Sequence, residues 1–140
     1  MTQETLPPKP LPTPDFDTEP FWTALKEHEL RLQRCADCEK AYFYPRSLCP
    51  HCWSDNVQWE RMSGRGTVYT YTIVRRAPHR AFTDDVPFVI AVVELEEGPR
   101  MPVNLVDCPV DDVRVEMAVE IVFEDINDEI TMPRFRPIGG

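Results

Sequence analysis

No apolar run in this chain of 140 residues approaches the roughly 18 residues of a membrane-spanning helix. Residues 1 to 20 hold no apolar core of a secretory signal. Both absences lead to the expectation of a soluble, cytoplasmic protein in a reducing compartment. There, structural disulfides are the weakest account of its cysteines. Positive charge is in short supply. Fifteen Lys and Arg face 24 Asp and Glu, a formal net charge of −9, which opposes general nucleic-acid binding because that binding draws its affinity from phosphate neutralisation. Histidine is scarce as well: His28, His51 and His79 are the three, and none sits in a nucleophile or metal-hydrolase motif. No catalytic constellation emerges. His28 reads as a helix-surface residue and His79 as a loop residue that could assist an anion site. Helical periodicity is missing after residue 60.

The most informative stretch spans residues 35 to 52. Cys35-Ala36-Asp37-Cys38 and Cys49-Pro50-His51-Cys52 are separated by ten residues. A structural zinc site is a closed tetrahedron of soft ligands. Each Cys-x-x-Cys turn supplies two thiolates, because its backbone N–H groups point at the sulfurs. The spacing predicts a compact zinc ribbon with Cys35, Cys38, Cys49 and Cys52 as ligands of one zinc ion. Two other readings compete. Cys49-Pro50-His51-Cys52 alone could be a redox dithiol, but the following Trp53-Ser54-Asp55-Asn56 is a turn rather than the start of a helix, and the first pair has no role in that scheme. Paired disulfides would need an oxidising compartment. His51 reads as an exposed knuckle residue, and Cys108, in an apolar run, as a buried thiol acting as a small hydrophobe.

Pro7, Pro8, Pro10, Pro12 and Pro14 crowd the start of the chain. They predict a disordered tail or linker over residues 1–17, extended rather than packed. A helix is expected over residues 18–29, capped by Thr18, with Glu19 and Pro20 in its first turn and Phe21, Trp22 and Leu25 as its apolar stripe. Phe21 and Trp22 side by side either pack on the rest of the chain or form a partner surface. Short strands over residues 30–34 and 41–44, and an extended run from Val57 through Trp59 to Met62, complete a helix-plus-ribbon unit of residues 18–60. Residues 61–140 then carry five strand-like runs: 66–76, 87–95, 100–108, 117–123 and 131–138. They predict a five-stranded Greek-key barrel of the OB-fold type, with a sandwich as the alternative. The fold class is mainly β.

Arg61, Arg65, Arg75, Arg76 and Arg80 fall in a stretch with no acidic residue. They are either a solvated face or a site for a specific anion, since arginine binds phosphate bidentately. Arg65, between Gly64 and Gly66, sits where the chain can approach a ligand closely. Alternation places Arg75 and Arg76 on opposite faces of their strand.

The order of elements resembles the acyl-CoA-associated family first catalogued as domain of unknown function thirty-five. The likeness covers residues 18–138. It is carried by Phe21-Trp22, the two Cys-x-x-Cys turns, the run from Gly64 to Thr72, Pro87 to Leu95, and Met117 to Phe123. Many members place a glycine near Met117, where this chain has Glu116. The resemblance implies a non-catalytic accessory subunit of a thiolase- or aldolase-like enzyme, standing alone or following a hot-dog-fold hydratase domain. Such a subunit helps to bind or pass on an acyl-CoA in lipid or steroid side-chain breakdown. On that reading Arg65 and Arg76, and then Arg61, Arg75 and Arg80, are the candidates for the CoA phosphates. The alternative is an OB-fold nucleic-acid module in which Tyr69 and Tyr71 stack on bases.

Overall fold

A computed structural model describes residues 7–138. Helix α1 runs over Glu19–Lys26. The Thr18 hydroxyl does not cap it. Instead Thr18 Oγ1 accepts from the Asp15 N–H at 2.9 Å, and the Asp15 carboxylate accepts from the Thr18 N–H at 2.9 Å, so the chain is locked one turn earlier. The helix stops short of the expected residue 29 because His28 takes a left-handed φ of 60°. The Glu29 N–H reaches the Ala24 carbonyl at 2.9 Å and the His28 N–H reaches Leu25 at 2.9 Å, the paired bonds of a Schellman stop.

Strands β1 (Arg31–Cys35), β2 (Ala41–Tyr42) and β3 (Val57–Arg61) form an antiparallel sheet in the order β2-β1-β3. Strands β4 (Arg65–Val74), β5 (Phe88–Leu95), β6 (Arg100–Leu105), β7 (Ala118–Asp125) and β8 (Thr131–Pro137) close into a barrel in the order β4-β5-β6-β8-β7. The closed barrel is the OB-fold expected, and it removes the sandwich alternative. Closure is narrow: β4 pairs with β7 only over Arg65, Gly66 and Thr67, and β6 meets β8 in parallel at Leu105 and Phe135. Two single turns of 3-10 helix, Arg80–Phe82 and Val110–Asp112, interrupt the loops. Glu116 sits at φ 70°, a left-handed conformation that glycine adopts most readily; its N–H bonds the Val68 carbonyl at 2.7 Å.

The barrel and the ribbon share one core. Val68, Val89, Ala91, Val93, Met101, Val119 and Phe135 fill the barrel, and Phe21, Trp22, Leu25, Leu30 and Leu32 join the same cluster. This decides between the two readings of the helix aromatics. Phe21 is 2% exposed and Trp22 7%, so neither is an exposed partner surface in this conformation. Phe21 lies 5.9 Å from Phe43 and 6.4 Å from Tyr44, edge to face. The apolar stripe of so short a helix must be buried for the helix to persist at all. Trp22 Nε1 is buried with no hydrogen-bond partner among the described residues. A second tie joins the helix end to the barrel: His28 stacks on Phe123 at 5.0 Å and meets the Asp125 carboxylate at 3.0 Å. The Asp125 carboxyl is held below its ordinary range, first by the Thr131 hydroxyl and then by His28.

Of the proline-rich tail, residues 1–6 lie outside the described residues, and residues 7–14 form no helix or strand. They do touch the barrel, since Lys9 pairs with Asp85 at 2.6 Å and lies 5.9 Å over the Phe82 ring. Among the described residues no helix is long and apolar enough to cross a membrane.

Candidate metal centre and the basic segments

The two cysteine turns are built alike. In each, the N–H of the residue four places after the first cysteine bonds back to that cysteine's carbonyl: Glu39 to Cys35 at 2.9 Å and Trp53 to Cys49 at 2.9 Å. Those two residues take the left-handed conformation, φ 66° and 67°. The first cysteine's own N–H goes to the carbonyl five places on, Lys40 at 3.0 Å and Ser54 at 2.9 Å. Amides also turn inward on sulfur, with Cys38 N–H to Cys35 Sγ at 3.5 Å and His51 N–H to Cys49 Sγ at 3.3 Å.

These twin knuckles bring the four sulfurs together. Cys35 Sγ lies 3.5 Å from Cys52 Sγ and Cys38 Sγ 3.6 Å from Cys49 Sγ, and all four lie within 4.8 Å of one another. A tetrahedron with metal–sulfur bonds of about 2.3 Å has edges of about 3.8 Å, so the donor set fits one such ion. The close pairs cross between knuckles, and the second knuckle leads into β3 rather than a helix. That arrangement differs from a redox dithiol, and sulfurs 3.5 and 3.6 Å apart are well beyond the roughly 2.05 Å of a disulfide bond, so all five cysteines are free thiols here. The Cys35 thiol is drawn down to about 7, chiefly by the Cys38 N–H. At Cys52 the Ser54 N–H pulls down, but the neighbouring sulfur of Cys35, desolvation and the sulfurs of Cys38 and Cys49 together push the thiol up to about 12. One shared cation satisfies all four sulfurs as thiolates, which is the chemistry of a structural site.

Several braces were not singled out in the sequence. Asp37 accepts from the Ser54 hydroxyl and, at 3.3 Å, from the Asn56 amide, which ties one knuckle to the other. Gln33 Oε1 accepts from the Arg46 N–H at 2.8 Å, and the Tyr42 hydroxyl donates to the Arg46 carbonyl at 2.9 Å, which pins the connecting loop. Burial, then the charges of Cys49 and Cys35, push the Tyr42 phenol up to about 12. Cys108 is half-buried rather than buried, and its thiol faces the Pro109 carbonyl.

The five arginines do not form one patch. Arg65 opens β4 and Arg75 follows its end, and ten residues of strand span roughly 30 Å. Arg61 pairs with Glu29 at 3.4 Å and Arg65 with Glu96 at 3.3 Å. The glycines beside Arg65 leave no room for a ligand, because the chain itself fills it. A Cβ on Gly66 would meet the Glu94 carbonyl oxygen at 2.3 Å, and one on Gly64, at φ 78°, would meet Ile121 at 2.5 Å. Because β4 ends at Val74, Arg75 and Arg76 lie in the following loop and not on opposite strand faces. Both are exposed, and neither has an ion-pair partner among the described residues. Arg80 opens the first 3-10 turn, with His79 Nδ1 accepting from the Ala81 N–H at 3.0 Å. The two barrel tyrosines are both exposed, but the β-bulge between Val68 and Thr70 breaks the alternation that would put them on one face. Tyr69 sits at a bulge with Arg100 over its ring at 3.8 Å, and Tyr71 pairs with the buried Ala91.

A four-cysteine ribbon and an OB barrel sharing one core define a class: zinc-ribbon OB-fold proteins. Residues 22–58 match the family model for the rubredoxin-like zinc ribbon domain of ChsH2, and residues 59–124 that for its C-terminal OB-fold domain. A DUF35 domain-containing scaffold protein of Methanocaldococcus jannaschii is 41% identical over 110 residues, covering 77% of each chain. The chain belongs to the DUF35 family. A probable enoyl-CoA hydratase alpha subunit of Thermomonospora curvata is 36% identical over 129 residues; the match takes in 92% of this chain but only 40% of that relative, so this chain spans less than half of it. Among solved structures, a chain of the Ltp2-ChsH2(DUF35) aldolase superposes with a TM-score of 0.81 at 36% identity, covering 92% of this chain and 100% of that one.

Proposed function

We propose that the chain is a non-catalytic accessory subunit that binds and stabilises an aldolase- or thiolase-class enzyme acting on an acyl-CoA, with one structural zinc ion held by Cys35, Cys38, Cys49 and Cys52. The observation that carries the reading is the match over the full length of a chain of the Ltp2-ChsH2(DUF35) aldolase. The choice of zinc rests on the donors, four soft sulfurs at tetrahedral spacing. A shell closed by four protein ligands leaves no open position for substrate, so such an ion contributes folding energy. The test is co-expression with the thiolase- and aldolase-class enzymes of the same organism. One of them should elute together with this chain, and that enzyme should melt at a higher temperature with its partner than alone. Turnover of acyl-CoA by the isolated chain, with no stable partner, would overturn the reading.

The same subunit helps to hold the CoA moiety. Of the five arginines, Arg75 and Arg76 suit its phosphates best, because both are exposed and neither is committed to a carboxylate among the described residues. Calorimetric titration of the assembled complex with CoA checks this. Arg76→Ala should weaken binding by about 1.5–3 kcal/mol, the range for a hydrogen bond to a charged group. Arg65→Ala, which removes a solvent-exposed pair with Glu96, should change it far less. Equal affinities for wild type and Arg76→Ala, with assembly intact, would assign the phosphates wholly to the enzyme.

A further inference from the structure

Between α1 and the outer strand of the ribbon sheet runs an open groove of about 670 Å³. Its floor is the cross-strand pair Gln33 and Trp59. Gln33 is only 5% exposed, and its Oε1 is committed to the Arg46 N–H. Its amide nitrogen has no partner among the described residues, and neither does the Trp59 indole nitrogen. The floor therefore offers N–H donors that call for an acceptor. Phe16 stands at the mouth, 92% exposed, with Pro20 and Val57 as further apolar wall. Beside it β3 is an edge strand, with no neighbour on its outer side among the described residues.

The rim carries charge of one sign. Asp17, Glu19 and Glu27 line it without an ion-pair partner among the described residues, whereas the lining Arg31 is already paired with Glu29 at 3.0 Å. Phosphate-bearing ligands are repelled here, which separates the groove from the arginine loop.

We propose that this groove receives a segment of the partner enzyme: main-chain carbonyls against Gln33 and Trp59, an apolar side chain against Phe16, and a flanking lysine or arginine on the acidic rim. The proposal rests on the accessory reading above. It commits to a basic, carbonyl-presenting peptide segment because the donors, the apolar wall and the unpaired carboxylates are each complementary to one part of it.

The test uses the full chain and the purified enzyme from the co-expression experiment. Phe16→Ala and Glu27→Lys alter exposed side chains, so metal content and melting temperature should match wild type. Each variant should weaken the affinity for the enzyme at least tenfold. In Glu27→Lys the remaining affinity should also depend less on salt. Affinities within twofold of wild type for both variants would overturn the groove while leaving the accessory reading standing. A change confined to self-association, read by light scattering, would overturn it in favour of a second copy as occupant. Failure of the wild-type chain to bind the enzyme would remove the accessory reading and this proposal with it.

Discussion

Cys38→Ser protein will purify without metal and with its ribbon unfolded. β2 is two residues long and β1 and β3 five each, too little sheet to persist unaided. Cys35, Cys49 and Tyr42, with Val57 and Cys38 against them, form a separate small cluster around the sulfurs, so the knuckles have little apolar core of their own. Apparent binding energies of structural zinc in finger peptides are about 10–16 kcal/mol. That is comparable to the whole net stability of an ordinary domain, about 5–15 kcal/mol. The loss therefore cannot be absorbed. It will spread to the barrel as lowered stability, because Leu30 and Leu32 belong to the barrel's core. Elemental analysis, expected to give one zinc per wild-type chain, together with near-ultraviolet circular dichroism, reads both effects. A metal-free Cys38→Ser protein with wild-type folding would refute the structural role.

Phe21→Ala should cost about 3–5 kcal/mol, the range for removing a buried aromatic side chain. The ring is fully enclosed, with Trp22 at 5.0 Å and Phe43 at 5.9 Å, and sits where helix, ribbon and barrel meet. Nothing nearby can collapse into the space without moving one of the three. Denaturant titration followed by a barrel probe and a ribbon probe is the measurement, and the two transitions should shift together. A loss below 1 kcal/mol would mean that the helix is a detachable appendage and that ribbon and barrel are separate units.

What could be read from the sequence was local. The cysteine spacing gave the knuckles, because each turn is closed by its own amides. The strand-like runs placed all five barrel strands, with ends off by up to three residues, the largest where 100–108 overran a strand that stops at Leu105. What failed depended on distant partners. The strand ending at Val74 rather than Arg76 is set by where β5 begins its pairing, at Phe88. The helix overran by three residues because nothing in Glu27-His28-Glu29 marks a left-handed histidine. Phe21 and Trp22 could have been core or surface until the barrel was seen to cover them. The concentration of five arginines in twenty residues dissolved once β4 drew Arg65 and Arg75 to opposite ends of a ten-residue strand. The groove could not be anticipated at all, since Gln33 and Trp59 meet only through the β1–β3 register.

The shared core has a consequence for synthesis. Helix α1 packs against β8, which is made later, and roughly 110 residues separate their starts. At about 5–20 residues per second that is roughly 5–20 s of translation during which Phe21, Leu25, Leu30 and Leu32 have no barrel to enter. The knuckles, by contrast, are complete once the chain has passed Asn56 and need only an ion to set. Metal capture on the nascent chain would thus order β1 and β3 before their apolar side has a partner, and shorten the interval in which that surface can aggregate. Cells starved of zinc should accumulate this protein as aggregate made during translation rather than as mature protein that has lost its metal.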